Sequence, residues 1–201
     1  MQKITDTETL AQIYGTPVPQ SLTKVASHLT PLYREWISAA RFVVLSTIGP
    51  EGTDASPRGD DGPVVHMADD RTLWLPDWRG NNRIDSLRNI VRDPRVSLMF
   101  MVPGCNNVVR VNGTAFLTAD EGLRNHFARK SLRPATVAVI TIEELYFQCA
   151  KALMRSRLWD QQEADRPAVP TAGQFLQEQE AAFEAEAYDA GYAEYAKSRM
   201  W

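Results

Sequence analysis

Three short stretches of this sequence put cations and hydrogen-bond donors where a ligand could use them. In LPDWRGNNRIDSLRNI, residues 75–90, a strand end passes through a Gly turn and the pair Asn81–Asn82 into an Arg-bearing amphipathic stretch. With Asn82 as N-cap, Ile84, Leu87 and Val91 fall on one apolar face, while Arg83 and Ser86 share another near the helix start. Free N–H groups at a helix N-terminus, amide side chains and a guanidinium together make an anion cradle, and phosphate is its usual occupant. The same residues equally suit a plain cap beside a solvated Arg83. Asp85 matters to the choice, because a carboxylate in the first turn repels a phosphate unless it points away.

The second stretch is DASPRGDDGP, 54–63, in which Arg58 sits between Pro57 and Gly59 at a handover from one strand to the next. A guanidinium there can reach a groove, or decorate an ordinary hairpin loop. The third is CAKALMRSRLW, 149–159, where Lys151 and Arg155 are four apart on one helical face with Arg157 and Trp159 nearby. It reads as a solvated basic face or as a binding surface for an anionic or planar ligand or a partner chain. In VVRVNGTA, alternation sets Arg110, Asn112 and Thr114 opposite Val109 and Val111, giving that strand one polar face.

No acid, base or nucleophile stands beside these groups. The sequence has no GxSxG elbow, GxxxxGK[ST] loop, HExxH or helix-opening GxGxxG. His28, His66 and His126 are expected to cluster neither with each other nor with carboxylates, and Cys105 and Cys149 form no CxxC, so no metal site and no disulfide are expected. An anion cradle without catalytic side chains suits a protein whose cofactor carries the chemistry.

Several elements must position these residues. The first forty residues, 1–40, read as a helical lead-in, with Ser21 as a cap for SLTKVASHL and Thr30–Pro31 as the start of PLYREWISAA. From 41 the pattern becomes strands: 42–48, 63–67, 72–76, 95–102, 108–118 and 136–150, with a helix from 82 to 92 and another from Asp120 to about Lys130. Gly113 inside a strand predicts a bulge or a close backbone approach. The order is not βαβ, so an antiparallel barrel with external helices is expected over 41–159. A polar linker at 160–170 then leads to one C-terminal helix, 171–201, with an apolar stripe at Phe175, Leu176, Ala182 or Phe183, and Ala187.

Composition sets the outer limits. A chain of 201 residues suits one core with decorations, and a net charge of −3 supplies no general field for nucleic acid. No apolar run approaches a membrane span, and MQKITDTETL lacks the layout of a signal peptide, so a cytoplasmic location is expected.

Taken in order, SPRGD (56–60), LPD with GNNR and DSLRNI (75–90), DPRV (93–96), RVNGTA (110–115) and CAKALMRSRLW (149–159) resemble the pyridoxamine 5'-phosphate oxidase-like flavin split-barrel superfamily, and within it the branch of PPOX-class FMN-dependent enzymes. The resemblance implies an α+β fold built on a six-stranded antiparallel split barrel that dimerises, with FMN at the subunit interface. It implies that Asn81, Asn82 and Arg83, with Ser86 on the helix start, hold the FMN phosphate and ribityl chain, with Ser56 and Arg58 beside them. The flavin ring would lie along the strand to Leu75 and Pro76, and Lys151, Arg155 and Ser156 would come from the other subunit. Arg58, Arg83 and Arg110 would place the cofactor and substrate and tune their charge. The implied activity is an oxidoreductase passing hydride or electrons between NAD(P)H or a small molecule and an acceptor. A non-catalytic module holding FMN, heme or a deazaflavin is the alternative. One departure stands out: the family carries a His before the Cys of the last motif, and this chain has Gln148.

Overall fold

The computed structural model describes residues 1–160, 168–197 and 199–200. Helices α1 (Thr7–Tyr14), α2 (Pro19–Thr23) and α3 (Pro31–Ala39) form the lead-in. Thr30 is the N-cap of α3 with Pro31 at its first turn, as the sequence predicts. Ser21, expected as a cap, instead lies inside α2 and bonds back to the Val18 carbonyl at 2.6 Å. Ala26, expected within that helix, forms an isolated antiparallel bridge with Leu145.

One antiparallel sheet of seven strands follows, in the order β2-β1-β5-β6-β7-β4-β3. The strands are β1 (Phe42–Gly49), β2 (Gly52–Gly59), β3 (His66–Met67), β4 (Thr72–Asp77), β5 (Arg95–Met101), β6 (Val108–Thr118) and β7 (Thr136–Gln148). Seven strands replace the six expected. The unforeseen one is β2, GTDASPRG, which has no apolar alternation and contains Pro57. Its side chains are partly or largely exposed along its length, and it pairs only with β1, so the missing N–H of proline is tolerated at the sheet edge. The strand expected at 63–67 shrinks to two residues.

Alternation builds the core. Val43 and Leu45 of β1, Leu98 and Phe100 of β5, Val109 and Val111 of β6, Leu73 and Leu75 of β4, and Ile140 and Ile142 of β7 are buried in one cluster. Between Asn112 and Gly113 the β6–β7 register slips, leaving an extra residue at Glu143. A Cβ on Gly113 would lie 2.0 Å from the Thr141 carbonyl oxygen, so the bulge and the close approach predicted for this glycine are both present.

One end of the strand order, β2, meets β4, the second strand from the other end. Arg58 on β2 donates to Asp77 on β4 at 2.5 Å, so the sheet curls until its edges are joined by side chains rather than by a ladder. Helix α4 (Asp85–Arg92) packs on β1, β2 and β6, α5 (Glu121–His126) lies beside β7, and α6 (Lys151–Ser156) follows it. The C-terminal region holds two helices, α7 (Ala172–Gln179) and α8 (Ala185–Lys197), where one was expected. They pack on each other through Gly173 and Ala185, while Phe175 and Leu176 of the expected stripe stay exposed. Most of the expected linker, 161–167, lies outside the described residues. Among the described residues, no helix is long and apolar enough to cross a membrane.

Candidate functional site

The free edge of β2 organises the site. Asp54, Ser56 and Arg58 alternate onto the side of β2 that carries Thr47, Leu45 and Val43 on β1. At one end Arg58 meets Asp77, and at the other Ser86 of α4 donates its hydroxyl to Asp54. The segment 78–84, which joins Asp77 to α4, therefore begins and ends at this edge. That brings Ser56, Arg58, Pro76 and Ser86 to one region, with Asn81, Asn82 and Arg83 exposed in the segment between the two anchors. Leu75 belongs to the same region only through its backbone, because its side chain is in the core.

The helix start differs from the expectation. The N-cap of α4 is Ile84, in the left-handed region at φ 53°, with no side-chain cap bond. Asn82, expected as the cap, also has φ 61°, and Asn81 Oδ1 accepts the Arg83 N–H at 3.0 Å. A β-branched residue held left-handed is strained by roughly 1–3 kcal/mol, which the anchors on either side must offset. The expected apolar stripe is not the buried one. Val91 is exposed and Ile84 half exposed, while Ser86, Asn89 and Ile90 face the barrel. Asn89 Nδ2 donates to Thr47 Oγ1 at 3.1 Å, and its side chain fills the space a Cβ on Gly49 would need. Bonded polar groups, together with the buried Ile90, seat this helix.

Arg83 and Ser86 do not share a face. The Arg83 side chain is 80% exposed and pairs with Asp85, and that pairing holds its proton more firmly than usual. Asp85 therefore does not point away from the cradle; it lies on its principal exposed cation.

Arg58 sits deeper. Its side chain is 22% exposed, and its Nε is buried without a hydrogen-bond partner among the described residues. Thr136, directly opposite Asp77 in the β4–β7 register, has a buried Oγ1 in the same condition. Further along the seam Asp60 pairs with Arg129, accepts Trp78 Nε1 at 3.3 Å, and takes the Asp61 N–H at 2.6 Å. Asp77, Asp60 and Arg129 were not foreseen. The Asp of LPD, at a strand end with an Arg elsewhere, was the one sequence signal available; nothing local marks Arg129.

The other expected residues lie elsewhere. Arg110 is on the outer face of β6, its guanidinium 5.4 Å from the Tyr146 ring centre. Lys151, Arg155 and Ser156 are exposed on α6, beside the β5–β6 turn, where Trp159 Nε1 donates to the Cys105 carbonyl at 2.9 Å. On that outer face a groove of about 630 Å³ crosses the sheet over Ala55, Ser46, Ser97 and Asn112. Two of its lining residues are bonded, Ser97 Oγ donating to Asn112 Oδ1 at 2.7 Å, and Asn112 Nδ2 in turn donates to Glu144 Oε1 at 2.7 Å. The expectation that the histidines stand apart is also corrected, since the rings of His66 and His126 are 4.2 Å apart. Separations of sixty residues in sequence hide such a contact. Among the described residues, no group of three or more His, Cys, Asp or Glu is placed to hold a metal.

The family model for pyridoxamine 5'-phosphate oxidase matches residues 29–149. No curated protein matches the sequence. Among solved structures, a single-site variant of HupZ from Group A Streptococcus aligns with 59% of this chain and 98% of its own, at 16% identity and a TM-score of 0.50. A candidate pyridoxamine 5'-phosphate oxidase from Lactobacillus delbrueckii aligns over 60% and 95%, at 22% identity and a TM-score of 0.48. An FMN-binding protein from Syntrophomonas wolfei aligns over 71% and 97%, at 11% identity and a TM-score of 0.43. The first of these likenesses speaks to the fold, and the match over residues 29–149 to the family.

Proposed function

Since the chain belongs to the pyridoxamine 5'-phosphate oxidase family, we propose that it is an FMN-dependent oxidoreductase that holds its cofactor along the β2 edge and works as a homodimer. The observation that carries this reading is the pair of buried, unpartnered polar atoms at the seam, Arg58 Nε and Thr136 Oγ1. Buried donors and acceptors are almost always satisfied in a folded protein, and orphans of this kind mark a missing partner. A flavin mononucleotide fits the donor set: the seam offers a guanidinium N–H, and segment 78–84 offers amides and a second guanidinium to a phosphate dianion.

Arg58 and Ser56 would hold the cofactor from β2, and Asn81, Asn82 and Arg83 would take its phosphate, with Arg83 exchanging Asp85 for the stronger anion. Ser86 acts differently from the expectation: its hydroxyl is committed to Asp54, so it fixes the helix start. Pro76 would set the backbone on which the ring rests. Bound flavin supplies hydride and single-electron chemistry, so the carboxylates of the site, Asp54, Asp60 and Asp77, each already paired, need take no part in the reaction. The chain's own task is to orient the cofactor, shield it from water and place positive charge beside it. Lys151, Arg155 and Ser156 stand at the other end of the sheet, so their contribution requires a second copy.

The test is the visible spectrum of the purified full-length chain, before and after loading with FMN and desalting. A retained flavin spectrum, with Arg58→Gln weakening FMN binding about tenfold or more, supports the reading. No retained flavin removes it, and a Soret band in its place establishes a heme-binding module. Flavin that is retained but never reduced by NAD(P)H or another donor removes the oxidoreductase half and leaves a carrier.

A further inference from the structure

Away from the seam, α3, β3 and the end of α5 line a second, open cavity of about 360 Å³. Arg34 and Ser38 line it from α3, His66 and Met67 from β3, and His126 and Phe127 from α5 and its C-cap. The two imidazoles meet edge to face, 4.2 Å between centres at 63°. Trp74, opposite His66 in the β3–β4 register, stands behind them at 4.9 Å from His66 and 5.5 Å from His126. Phe127 is nearly perpendicular to both, at 6.4 and 5.0 Å. This is a box of ring edges and faces, a geometry that receives another ring well.

Its charge selects the rest of the ligand. Arg34 donates one N–H to the Asp69 carbonyl at 3.3 Å, and a guanidinium has five such donors, so this bond leaves most of them uncommitted. No carboxylate is among the residues lining the cavity. The Asp69 carboxylate, which interacts with the Arg34 charge, accepts the Arg71 N–H at 2.7 Å. With a guanidinium beside two imidazoles and no third His, Cys, Asp or Glu placed with them among the described residues, the cavity is poorly suited to a metal cation. The same field suits an anion.

We propose that this cavity binds a small aromatic carboxylate, its ring against His66 and Phe127 and its carboxylate at Arg34 and the His126 N–H. Such a site is separate from the seam and does not depend on the flavin. Burial first, and the neighbouring His126 second, hold the His66 imidazolium below its ordinary pKa, so His66 is a neutral ring near neutral pH. A bound carboxylate counters the second effect by favouring the charged form of His66. Binding therefore takes up protons and tightens as pH falls through the imidazole range. The neighbouring charge that acts on His66 is that of His126 from α5; Arg34 from α3 lines the same cavity and interacts with Asp69 from the turn before β4, and Trp74 of β4 adds no charge.

Calorimetric titration of the purified full-length chain with benzoate tests the proposal, with acetate as the carboxylate without a ring and benzyl alcohol as the ring without a charge. Saturable benzoate binding is expected, several-fold tighter at roughly pH 6 than at roughly pH 8, with acetate and benzyl alcohol far weaker. Arg34→Gln is expected to weaken benzoate binding about tenfold or more. His126→Phe, at an exposed position and with the ring retained, removes the N–H offered to the carboxylate and is expected to weaken benzoate binding several-fold. An unchanged thermal midpoint in both variants confirms that they fold, and His126→Phe decides the matter alone if Arg34→Gln does not. Absence of saturable benzoate binding overturns the proposal, as does acetate binding equal to benzoate or undiminished binding by both variants.

Discussion

The barrel interior and the seat of α4 are both buried, yet they are held by opposite chemistry. Inside the barrel, Phe100, Leu98, Val109 and Ile140 exclude water and need no partners. Under α4, Ser86, Asn89 and Thr47 are equally hidden and persist because each is bonded. The first arrangement tolerates rearrangement of similar volumes, whereas the second tolerates no loss of a partner. That contrast suits a core that only has to exist and a helix that has to be aimed.

Four measurements sharpen or break this comparison. Phe100→Ala should cost about 4 kcal/mol in urea unfolding, because it removes a fully buried ring and leaves a cavity. A loss under about 1 kcal/mol would mean that the interior is not close-packed. Gly113→Ala should follow at about 3 kcal/mol, since the added methyl meets the backbone carbonyl of Thr141 rather than a side chain that could turn away. Asn89→Ala should cost about 2 kcal/mol, and a double-mutant cycle with Thr47→Val should return a coupling of about 1 kcal/mol. Zero coupling would make the polar seat indistinguishable from ordinary packing.

The smallest effect lies on the surface, just past α4. Asp93 accepts Arg95 hydrogen bonds from the side chain and from the backbone, and these hold its carboxyl down to about 2. A depressed carboxyl pKa contributes stability above its unfolded value and loses it as pH falls through the folded one. An NMR titration should place the Asp93 midpoint near the value given by Arg95, and Arg95→Gln should return it towards the ordinary carboxylate range.

The same contrast explains what the sequence disclosed. Strands β1, β5, β6 and β7 were legible because apolar residues alternate along them, and Gly113 was legible because glycine inside such a run has few other uses. Strand β2 was not, since GTDASPRG carries no hydrophobic period and looks like a loop until β1 is beside it. In α4 the apolar residues misled, because Ile84 and Val91 face outward while Asn89 faces the barrel. Of the candidate site, SPRGD and GNNR were found as motifs, and the chain does bring them to one edge. What sequence could not supply was the ownership of charges: that Arg58 belongs to Asp77, Arg83 to Asp85 and Ser86 to Asp54. The Arg58–Asp77 and Ser86–Asp54 pairings are set by strand order and helix docking, which no local pattern encodes, whereas Arg83 and Asp85 are only two residues apart.

The way the sheet closes also bears on how the chain folds. Strand β4 must find β7 by pairing Thr72 with Thr141, and β2 must then reach β4 through the Arg58–Asp77 contact. Hairpins β1–β2 and β5–β6 are joined by short turns and form early, whereas the β4–β7 ladder waits on a long loop closure. While it waits, two open strand edges are available to any neighbouring chain. Refolding at high protein concentration should therefore produce strand-exchanged dimers and larger aggregates, and refolding at high dilution should recover the native chain.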